Sequence, residues 1–341
     1  MSKLLRAQVA LLLVLLFTAI GVRIFVLNKP DPSPHPEDSV LETQDAAVMA
    51  PAVTQPSETT GNAAPTRPAM QISPSFPDVQ LLGTNGFAFD LENQQLLYCK
   101  GGLDAKIYPA STTKLFSTFI ALQYLDPETV ITAGDELELV AEGSSLAYIQ
   151  QGHQLTVAML VEGMLLPSGN DAAHISAAAA GRAISGDPNL SAQEAVACFV
   201  AQMNASAQAL GMTGTHFCNP DGFHDENHYT TCRDLITIGR LALENDTIRS
   251  FVGLKEDHVR FASGENILWR NTNLLLHPDS EYYCPAAVGL KTGYTGEAGN
   301  CLMSAFEVDG RYVIIGVFGC PEHNDRFVDA LTLYDALFDT E

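Results

Sequence analysis

The stretch Ser111-Thr112-Thr113-Lys114 opens a segment in which apolar side chains recur every three or four residues as far as position 125. That spacing predicts an amphipathic helix over 110–125, with hydroxyl side chains at its N-terminus after Pro109. Residues three apart share a helix face, so the Lys114 amine would lie beside the Ser111 hydroxyl. A base beside a nucleophile suits acyl transfer, although a capping serine and a solvated lysine explain these four residues as well.

The segments around this helix predict an α+β fold. Two short strands at 86–90 and 95–99 form a hairpin signal before the helix, and three apolar strand-like runs lie near the end of the chain. We therefore expect an antiparallel sheet built from both chain ends and flanked by helices, with a helical insertion and a cleft between the two parts. The later strands are predicted at 288–291, 301–308 and 312–318, and the further helices at 157–165, 171–183, 192–210, 233–243 and 324–338.

The first 76 residues differ in composition from the rest. Lys3 and Arg6 precede an almost uninterrupted apolar run, so residues 1–27 are predicted to be either a membrane anchor or a cleaved signal peptide. Residues 28–76 are rich in Pro, Ser, Thr and Ala without apolar periodicity, which predicts a linker. Residues 77–341 then form the predicted catalytic domain.

The overall charge excludes one class of partner. The chain has 18 Lys and Arg against 40 Asp and Glu, a net charge of −22, which would repel nucleic acid. Its seven cysteines lack metal-like spacing, and only the pair Cys218 and Cys232 is close enough in sequence to suggest a bridge. His224 and His228 lack the glutamate of a zinc-protease motif, so they are interpreted as polar loop residues.

Two further short motifs follow the first in the chain. Ser168-Gly169-Asn170 precedes an alanine-rich helix, and by itself it is explained as a helix cap. Lys291-Thr292-Gly293 ends an apolar strand, and by itself it is explained as an edge strand that turns. The three motifs in this order resemble the S-x-x-K, S-D-N and K-T-G signature of class A β-lactamases and penicillin-binding proteins, with glycine in place of the aspartate.

The residues around these motifs resemble the D-alanyl-D-alanine carboxypeptidases, which are low-molecular-mass penicillin-binding proteins of the β-lactamase/transpeptidase-like fold. The resemblance extends from about Phe87 to Phe318. It is carried by residues 108–114 (YPASTTK), 166–173 (LPSGNDAA), 219–222 (NPDG), 228–231 (HYTT) and 289–295 (GLKTGYT).

The resemblance implies a serine acyl-transfer site. Ser111 would attack the carbonyl of the penultimate D-Ala, and Lys114 would be the base, its pKa lowered by burial and by Lys291. Ser168 would relay a proton to the leaving amine. The backbone N–H groups of Ser111 and Tyr294 would form the oxyanion hole.

The resemblance also implies the substrate-binding residues. Asn170 would hold the substrate amide. Lys291 would supply positive charge near the substrate carboxylate, and the Thr292 hydroxyl would donate to that carboxylate. Gly293 would be required because a side chain there would block the approach of the substrate to the strand.

The implied function is removal of the terminal D-Ala from peptidoglycan stem peptides outside the cytoplasm, with β-lactams as inhibitors and with no cofactor or metal. The N-terminal segment would replace the C-terminal anchor of many relatives. No glutamate lies between Val196 and Gly222 to serve as a deacylating base, so we expect slow release of bound penicillin. The alternatives are a β-lactamase or D,D-endopeptidase using the same site, and a non-catalytic penicillin-sensing or wall-binding module.

Overall fold

The computed structural model describes residues 70–338 of the 341-residue chain. The predicted signal or anchor at 1–27 lies outside the described residues, as does the predicted linker up to residue 69. The rest of that linker contains the short first strand of the sheet, Gln71–Ile72. Between residues 70 and 338, no helix combines the length and the apolar character needed to cross a membrane.

The described residues form one six-stranded sheet, three two-stranded sheets and seven α-helices. The strands are β1 Gln71–Ile72, β2 Asn85–Asp90, β3 Gln95–Lys100, β4 Lys106–Ile107, β5 Val130–Thr132, β6 Gln154–Thr156, β7 Thr230–Thr231, β8 Glu256–Arg260, β9 Asn266–Arg270, β10 Ala287–Thr295, β11 Gly299–Val308 and β12 Arg311–Cys320. The helices are α1 Thr113–Ala121, α2 Val157–Leu165, α3 Asn170–Ser185, α4 Ala192–Ala209, α5 Cys232–Glu244, α6 Asp246–Val252 and α7 Asp325–Phe338.

The large sheet confirms that both ends of the catalytic region contribute strands. Its order is β1-β3-β2-β12-β11-β10, so the hairpin β2–β3 pairs directly with the C-terminal strand β12. Neighbouring strands from β3 to β10 are antiparallel, whereas β1 joins β3 in parallel. Helices α1 to α6 lie between β3 and β10 in the chain and form the predicted helical insertion. Strand β10 is left at the edge of the sheet.

The sheet is buried on both faces, which explains the nearly continuous apolar runs of its strands. Along β2, Phe87 and Phe89 belong to a core shared with the helical insertion, and Ala88 faces the opposite side. On that opposite side, Phe306 packs with Phe327 of α7 in a second, smaller core. Burial on both faces therefore holds β10 and its motif in a fixed position.

Helix α1 is shorter than the sequence predicts. Residues 110–112 form a 3-10 turn before it, and it ends at Ala121 instead of position 125. Its last turn tightens, since the N–H groups of Gln123 and Tyr124 bond to carbonyls three residues earlier. Pro127 follows, and a residue before a proline disfavours helical backbone. The apolar pattern therefore extends to position 125, beyond the end of the helix at Ala121.

The hairpin β8–β9 and the short helix α6 are absent from the sequence-based prediction. The hairpin strands are largely exposed and carry charged side chains, with Val259 and Trp269 as their buried residues. Such strands have no long apolar run or clean alternation. Helix α6 has seven residues and follows α5 after Asn245, which caps it through the Ile248 N–H.

Candidate active site

The first motif lies where a 3-10 turn, Ala110–Thr112, leads into α1. Ala110 has φ 47°, in the left-handed region that a residue with a Cβ adopts at a cost of about 1–2 kcal/mol. Lys114 follows in the first turn of the helix, and its Nζ lies 2.9 Å from the Ser111 Oγ. The structure therefore brings the predicted base and nucleophile into hydrogen-bond contact.

Lys114 is fully buried and has two other neighbours. Its Nζ lies 2.7 Å from the Asn170 Oδ1 and 2.8 Å from the Asp221 carbonyl oxygen, both of which only accept hydrogen bonds. A neutral amine has two N–H groups and one lone pair. With the N–H groups donated to these two oxygens, the lone pair faces the Ser111 hydroxyl, which is the arrangement that a base requires.

Burial also lowers the pKa of Lys114 from 10.5 to about 8, because the interior disfavours its charged form. The carboxylates of Asp221 and Asp171 oppose this shift. Lys291 is buried too, and its pKa lies well below the usual range because of burial and of the positive charges of Lys114 and Arg326. Repulsion between the two amines therefore lowers the pKa of Lys291, whereas the pKa of Lys114 is lowered by burial and not by Lys291.

The second motif occupies the connection between α2 and α3. Ser168 is nearly buried and has φ 66°, and Asn170 is the first residue of α3. The Asn170 side chain bridges two parts of the site, since its Oδ1 accepts from Lys114 and its Nδ2 donates to the Ser144 Oγ at 2.9 Å. Its predicted contact with the substrate amide stays a prediction.

The segment that carries Ser144 forms one wall of the site and is fixed by Asp171. The Asp171 carboxylate accepts hydrogen bonds from the backbone N–H groups of Ala147 at 2.8 Å and Ile149 at 2.9 Å. The Asn170 N–H donates to the Ser145 carbonyl at 2.8 Å. The second motif thus positions this wall as well as its own side chains.

The third motif lies on the edge strand β10. Lys291 and Thr292 are buried, and Thr292 contacts the Thr272 hydroxyl. A Cβ built on Gly293 would lie 3.0 Å from the Ser111 backbone nitrogen, closer than such contacts normally come. The strand therefore packs directly against the turn of the first motif, and a side chain at position 293 would require the strand or the turn to shift by a few tenths of an ångström. Tyr294, one residue further, is exposed.

A cleft of about 730 Å³ runs between β10 and the helical part. Six of the eight residues predicted for the site line this cleft, and the buried amines of Lys114 and Lys291 lie next to the lining residues. The six are Ser111, Ser168, Asn170, Thr292, Gly293 and Tyr294.

Arg326 was not predicted as a site residue. It lies in α7, is 3% exposed and lines the cleft, and its Nη1 donates to the Gly293 carbonyl at 3.0 Å. Burial lowers its pKa to about 10, and its Nε is buried without a hydrogen-bond partner in the described structure. A single arginine in an amphipathic helix gives no sequence signal that would place it beside a strand end.

Asp221, in the NPDG stretch, is a residue to which the sequence assigns no role. It is 1% exposed, and its Oδ2 lies 3.4 Å from the Nε2 of His174. Gly222 has φ 82°, and a Cβ there would lie 1.9 Å from the Ala110 carbonyl oxygen. This loop therefore contacts both the turn that carries Ser111 and the Lys114 amine. The Asp-Gly pair indicates a turn here, and it is the one feature of the sequence that could have pointed to this loop.

The histidines and cysteines differ in part from the expectations. His228 lies in a loop, as predicted, but it is buried, and its Nε2 contacts the Thr113 Oγ1 at 2.9 Å. Within the described residues, none of the seven cysteines forms a disulfide with another, so Cys218 and Cys232 do not bridge. Among residues 70–338, no cluster of three or more His, Cys, Asp or Glu has the arrangement of a metal site.

Sequence comparisons identify related proteins. The sequence model of a family described as D-alanyl-D-alanine carboxypeptidase matches residues 78–322. The D-alanyl-D-alanine carboxypeptidase DacF of Bacillus subtilis is 31% identical over 248 residues, 72% of this chain and 59% of that protein. A D-alanyl-D-alanine carboxypeptidase of a Streptomyces species is 32% identical over 247 residues, 70% of this chain and 80% of that protein. The chain thus spans under two thirds of the Bacillus relative and most of the Streptomyces one.

Solved structures share the fold. The Streptomyces K15 DD-transpeptidase superposes with a TM-score of 0.69 at 29% identity, covering 78% of this chain and all of that chain. Penicillin-binding protein D2 of Listeria monocytogenes in its ampicillin-bound form gives a TM-score of 0.62 at 25% identity, covering 76% of this chain and 99% of that chain. The predicted fold class is therefore confirmed. Because the family match includes five of the six strands of the large sheet, the helical insertion and all three motifs, the chain belongs to the D-alanyl-D-alanine carboxypeptidase family of serine peptidases.

Proposed function

We propose that the protein removes the terminal D-Ala from peptidoglycan stem peptides through an acyl-enzyme on Ser111. The observation that carries this proposal is the buried Lys114 amine, 2.9 Å from the Ser111 Oγ and with a pKa of about 8. A lysine with an ordinary pKa stays protonated at neutral pH and cannot accept a proton. The relatives' shared name supplies the substrate class.

In the first half of the reaction, neutral Lys114 accepts the Ser111 proton as Oγ bonds to the carbonyl carbon of the penultimate D-Ala. The backbone N–H groups of Ser111 and Tyr294 stabilise the oxyanion, a contribution of about 3–4 kcal/mol per donor in comparable sites. The bond between this carbon and the amide nitrogen then breaks. The proton passes through Ser168 to that nitrogen, and D-Ala leaves.

In the second half, water attacks the ester carbonyl while Lys114 accepts a proton from the water. The ester bond to Ser111 breaks, the proton returns to the Oγ, and the shortened peptide leaves. The site is then restored without any net change in its own protonation.

The substrate carboxylate is proposed to bind at the Thr292 end of the cleft. Arg326 supports this position, because its buried guanidinium lies beside the Gly293 carbonyl and carries positive charge into the cleft. The Thr292 hydroxyl can donate to a carboxylate while it stays in contact with Thr272. Arg326 therefore joins Lys291 and Thr292 as a predicted binding residue.

β-Lactams are proposed to acylate Ser111 in the same way. Support comes from the Listeria relative, whose structure is of its ampicillin-bound form. The segment from Val196 to Gly222 contains no glutamate, so the acyl-enzyme should be released slowly.

Residues 1–27 are proposed to export the protein and to tether it to the membrane unless they are cleaved. The support is the apolar run after Lys3 and Arg6, which is long enough to span a bilayer. Expression of the full chain in a bacterium, followed by fractionation and N-terminal sequencing, tests this proposal. Protein found in the cytosolic fraction with an intact N-terminus would refute it.

Incubation of the full-length protein with a D-Ala-D-Ala peptide and, separately, with penicillin tests the activity. We expect release of one D-Ala per peptide and slow penicillin turnover, and neither product in Ser111→Ala. Rapid penicillin turnover without D-Ala release would identify a β-lactamase, and cleavage of cross-linked dimers alone would identify an endopeptidase. Absence of both acylation and hydrolysis would favour the non-catalytic module.

A further inference from the structure

The turn between β10 and β11 places a carboxylate at one end of the cleft. Glu297 lies in this turn, its side chain is 54% exposed, and it lines the cleft. Of the described residues that line the cleft, it is the one acid. Arg326, a basic residue of the same lining, donates to the Gly293 carbonyl four residues before Glu297, so the two opposite charges lie at different positions along β10 and its turn.

The opposite wall fixes the position of this carboxylate. The Glu297 Oε2 lies 3.7 Å from the Nδ1 of His224, which belongs to the loop that follows Gly222. His224 in turn packs edge-on against Tyr108, with ring centroids 4.9 Å apart. Two loops from different parts of the chain thus hold Glu297 at the mouth of the cleft.

The direction of the bound substrate follows from the charges. A terminal carboxylate is attracted to Arg326 beside Gly293 and repelled by Glu297, so we expect the part of the peptide that precedes the scissile bond to extend past Tyr294 toward Glu297. A peptide extended along the edge of β10 advances about 3.3 Å per residue. The residue before the two D-alanines therefore lies next to the turn that carries Glu297, within reach of a long side chain.

We propose that Glu297 is a specificity residue that binds the side-chain ammonium of the residue preceding the two D-alanines. This inference rests on the proposed function and extends it to a substrate class: stem peptides in which the side-chain amine of a diamino acid is free. A stem peptide whose amine is already amidated, as in a cross-link, lacks the charge and is a poorer substrate. The enzyme would therefore prefer stem peptides that are not yet cross-linked through this amine.

The size of the effect is modest, because Glu297 is more than half exposed. Exposed ion pairs change equilibria by about 2- to 5-fold, and salt screens them. We therefore expect kcat/KM to be about 3- to 5-fold higher for the free amine at low ionic strength, and this preference to shrink in 0.5 M salt, where the screening length is about 4 Å.

The test uses two peptides that differ at one group: Nα-acetyl-L-Lys-D-Ala-D-Ala and its side-chain acetylated counterpart. The measured quantity is the ratio of their kcat/KM values for D-Ala release by the full-length protein. The ratio of the free-amine to the acetylated peptide should fall to about 1 in Glu297→Gln. It should keep its wild-type value in the control Glu307→Gln, an exposed glutamate at the other end of β11. In wild type, a third peptide with a succinylated side chain should have a lower kcat/KM than the acetylated peptide, because its added carboxylate is repelled by Glu297.

The outcomes separate the two proposals. If wild type releases D-Ala from both peptides at equal kcat/KM, or if Glu297→Gln keeps the preference, the specificity role is refuted and the carboxypeptidase activity stands. If wild type releases D-Ala from neither peptide, the proposed function itself is refuted. A preference that persists undiminished in 0.5 M salt would also contradict an ion pair.

Discussion

The pH dependence of acylation follows directly from the surroundings of Lys114. Burial lowers the pKa of its amine to about 8, and the reaction needs the neutral form. A group with this pKa is about 9% neutral at pH 7 and about 91% neutral at pH 9. The acylation rate should therefore rise about tenfold between these two values and then level off.

Substitution of Asp221 should change this pH dependence. Its carboxylate favours the charged form of Lys114 and so raises the lysine pKa against the effect of burial. The Asp221→Asn substitution removes this charge while the backbone carbonyl that accepts from Lys114 remains. The lysine pKa should fall, and the rise in acylation rate should move to lower pH, so that the variant is less dependent on pH between 7 and 9.

The assay is the second-order rate of acylation by a fluorescent penicillin, measured from pH 5.5 to 10 at constant ionic strength. Asp187→Asn serves as a control, since Asp187 is an exposed aspartate in the loop after α3, away from the cleft. A flat wild-type profile between pH 7 and 9 would refute the assignment of Lys114 as the base. A shift of the Asp221→Asn profile to higher pH would refute the electrostatic reasoning.

Three further changes test other parts of the site. Burial lowers the pKa of His228 from 6.5 to about 4, so between these pH values the unfolded chain binds a proton that the folded protein does not. The free energy of unfolding should therefore drop by up to about 3 kcal/mol as the pH falls from 6.5 to 4. Urea titrations at several pH values should show a smaller drop in His228→Gln. Gly293→Ala should lower kcat about 10-fold by forcing β10 a few tenths of an ångström away from the Ser111 nitrogen, and a wild-type kcat in steady-state assays would contradict this packing. Arg326→Gln should raise KM about 10- to 100-fold for a peptide with a free C-terminal carboxylate but much less for its methyl ester, and equal effects on both substrates would contradict carboxylate binding.

The parts of the site that the sequence could predict depend on local geometry or on long apolar patterns. Ser111 and Lys114 are three residues apart at the start of a helix, so the helix itself brings their side chains together. Lys291, Thr292 and Gly293 lie on a strand whose apolar run marks it as buried. Spacing within these segments predicted the helix and the strand that carry these residues, whereas their catalytic and binding roles were implied by the resemblance to the D-alanyl-D-alanine carboxypeptidases.

The parts that could not be predicted depend on contacts between distant segments. Arg326 reaches Gly293 because α7 packs against the sheet, and the carbonyl of Asp221 reaches Lys114 because Gly222 allows a close approach to Ala110. Neither contact leaves a periodic signal in the chain. The left-handed backbone of Ser168 was also unexpected, since a residue with a side chain seldom adopts it.

The central claim is that Ser111 is the nucleophile, and peptide mapping of the trapped acyl-enzyme tests it most directly. The full-length protein is treated with penicillin, quenched, digested and analysed by mass spectrometry. We predict a single adduct of the mass of penicillin on the peptide that contains Ser111, with fragment ions assigning it to that residue. An adduct on Ser168 or elsewhere, with Ser111 unmodified, would contradict the account.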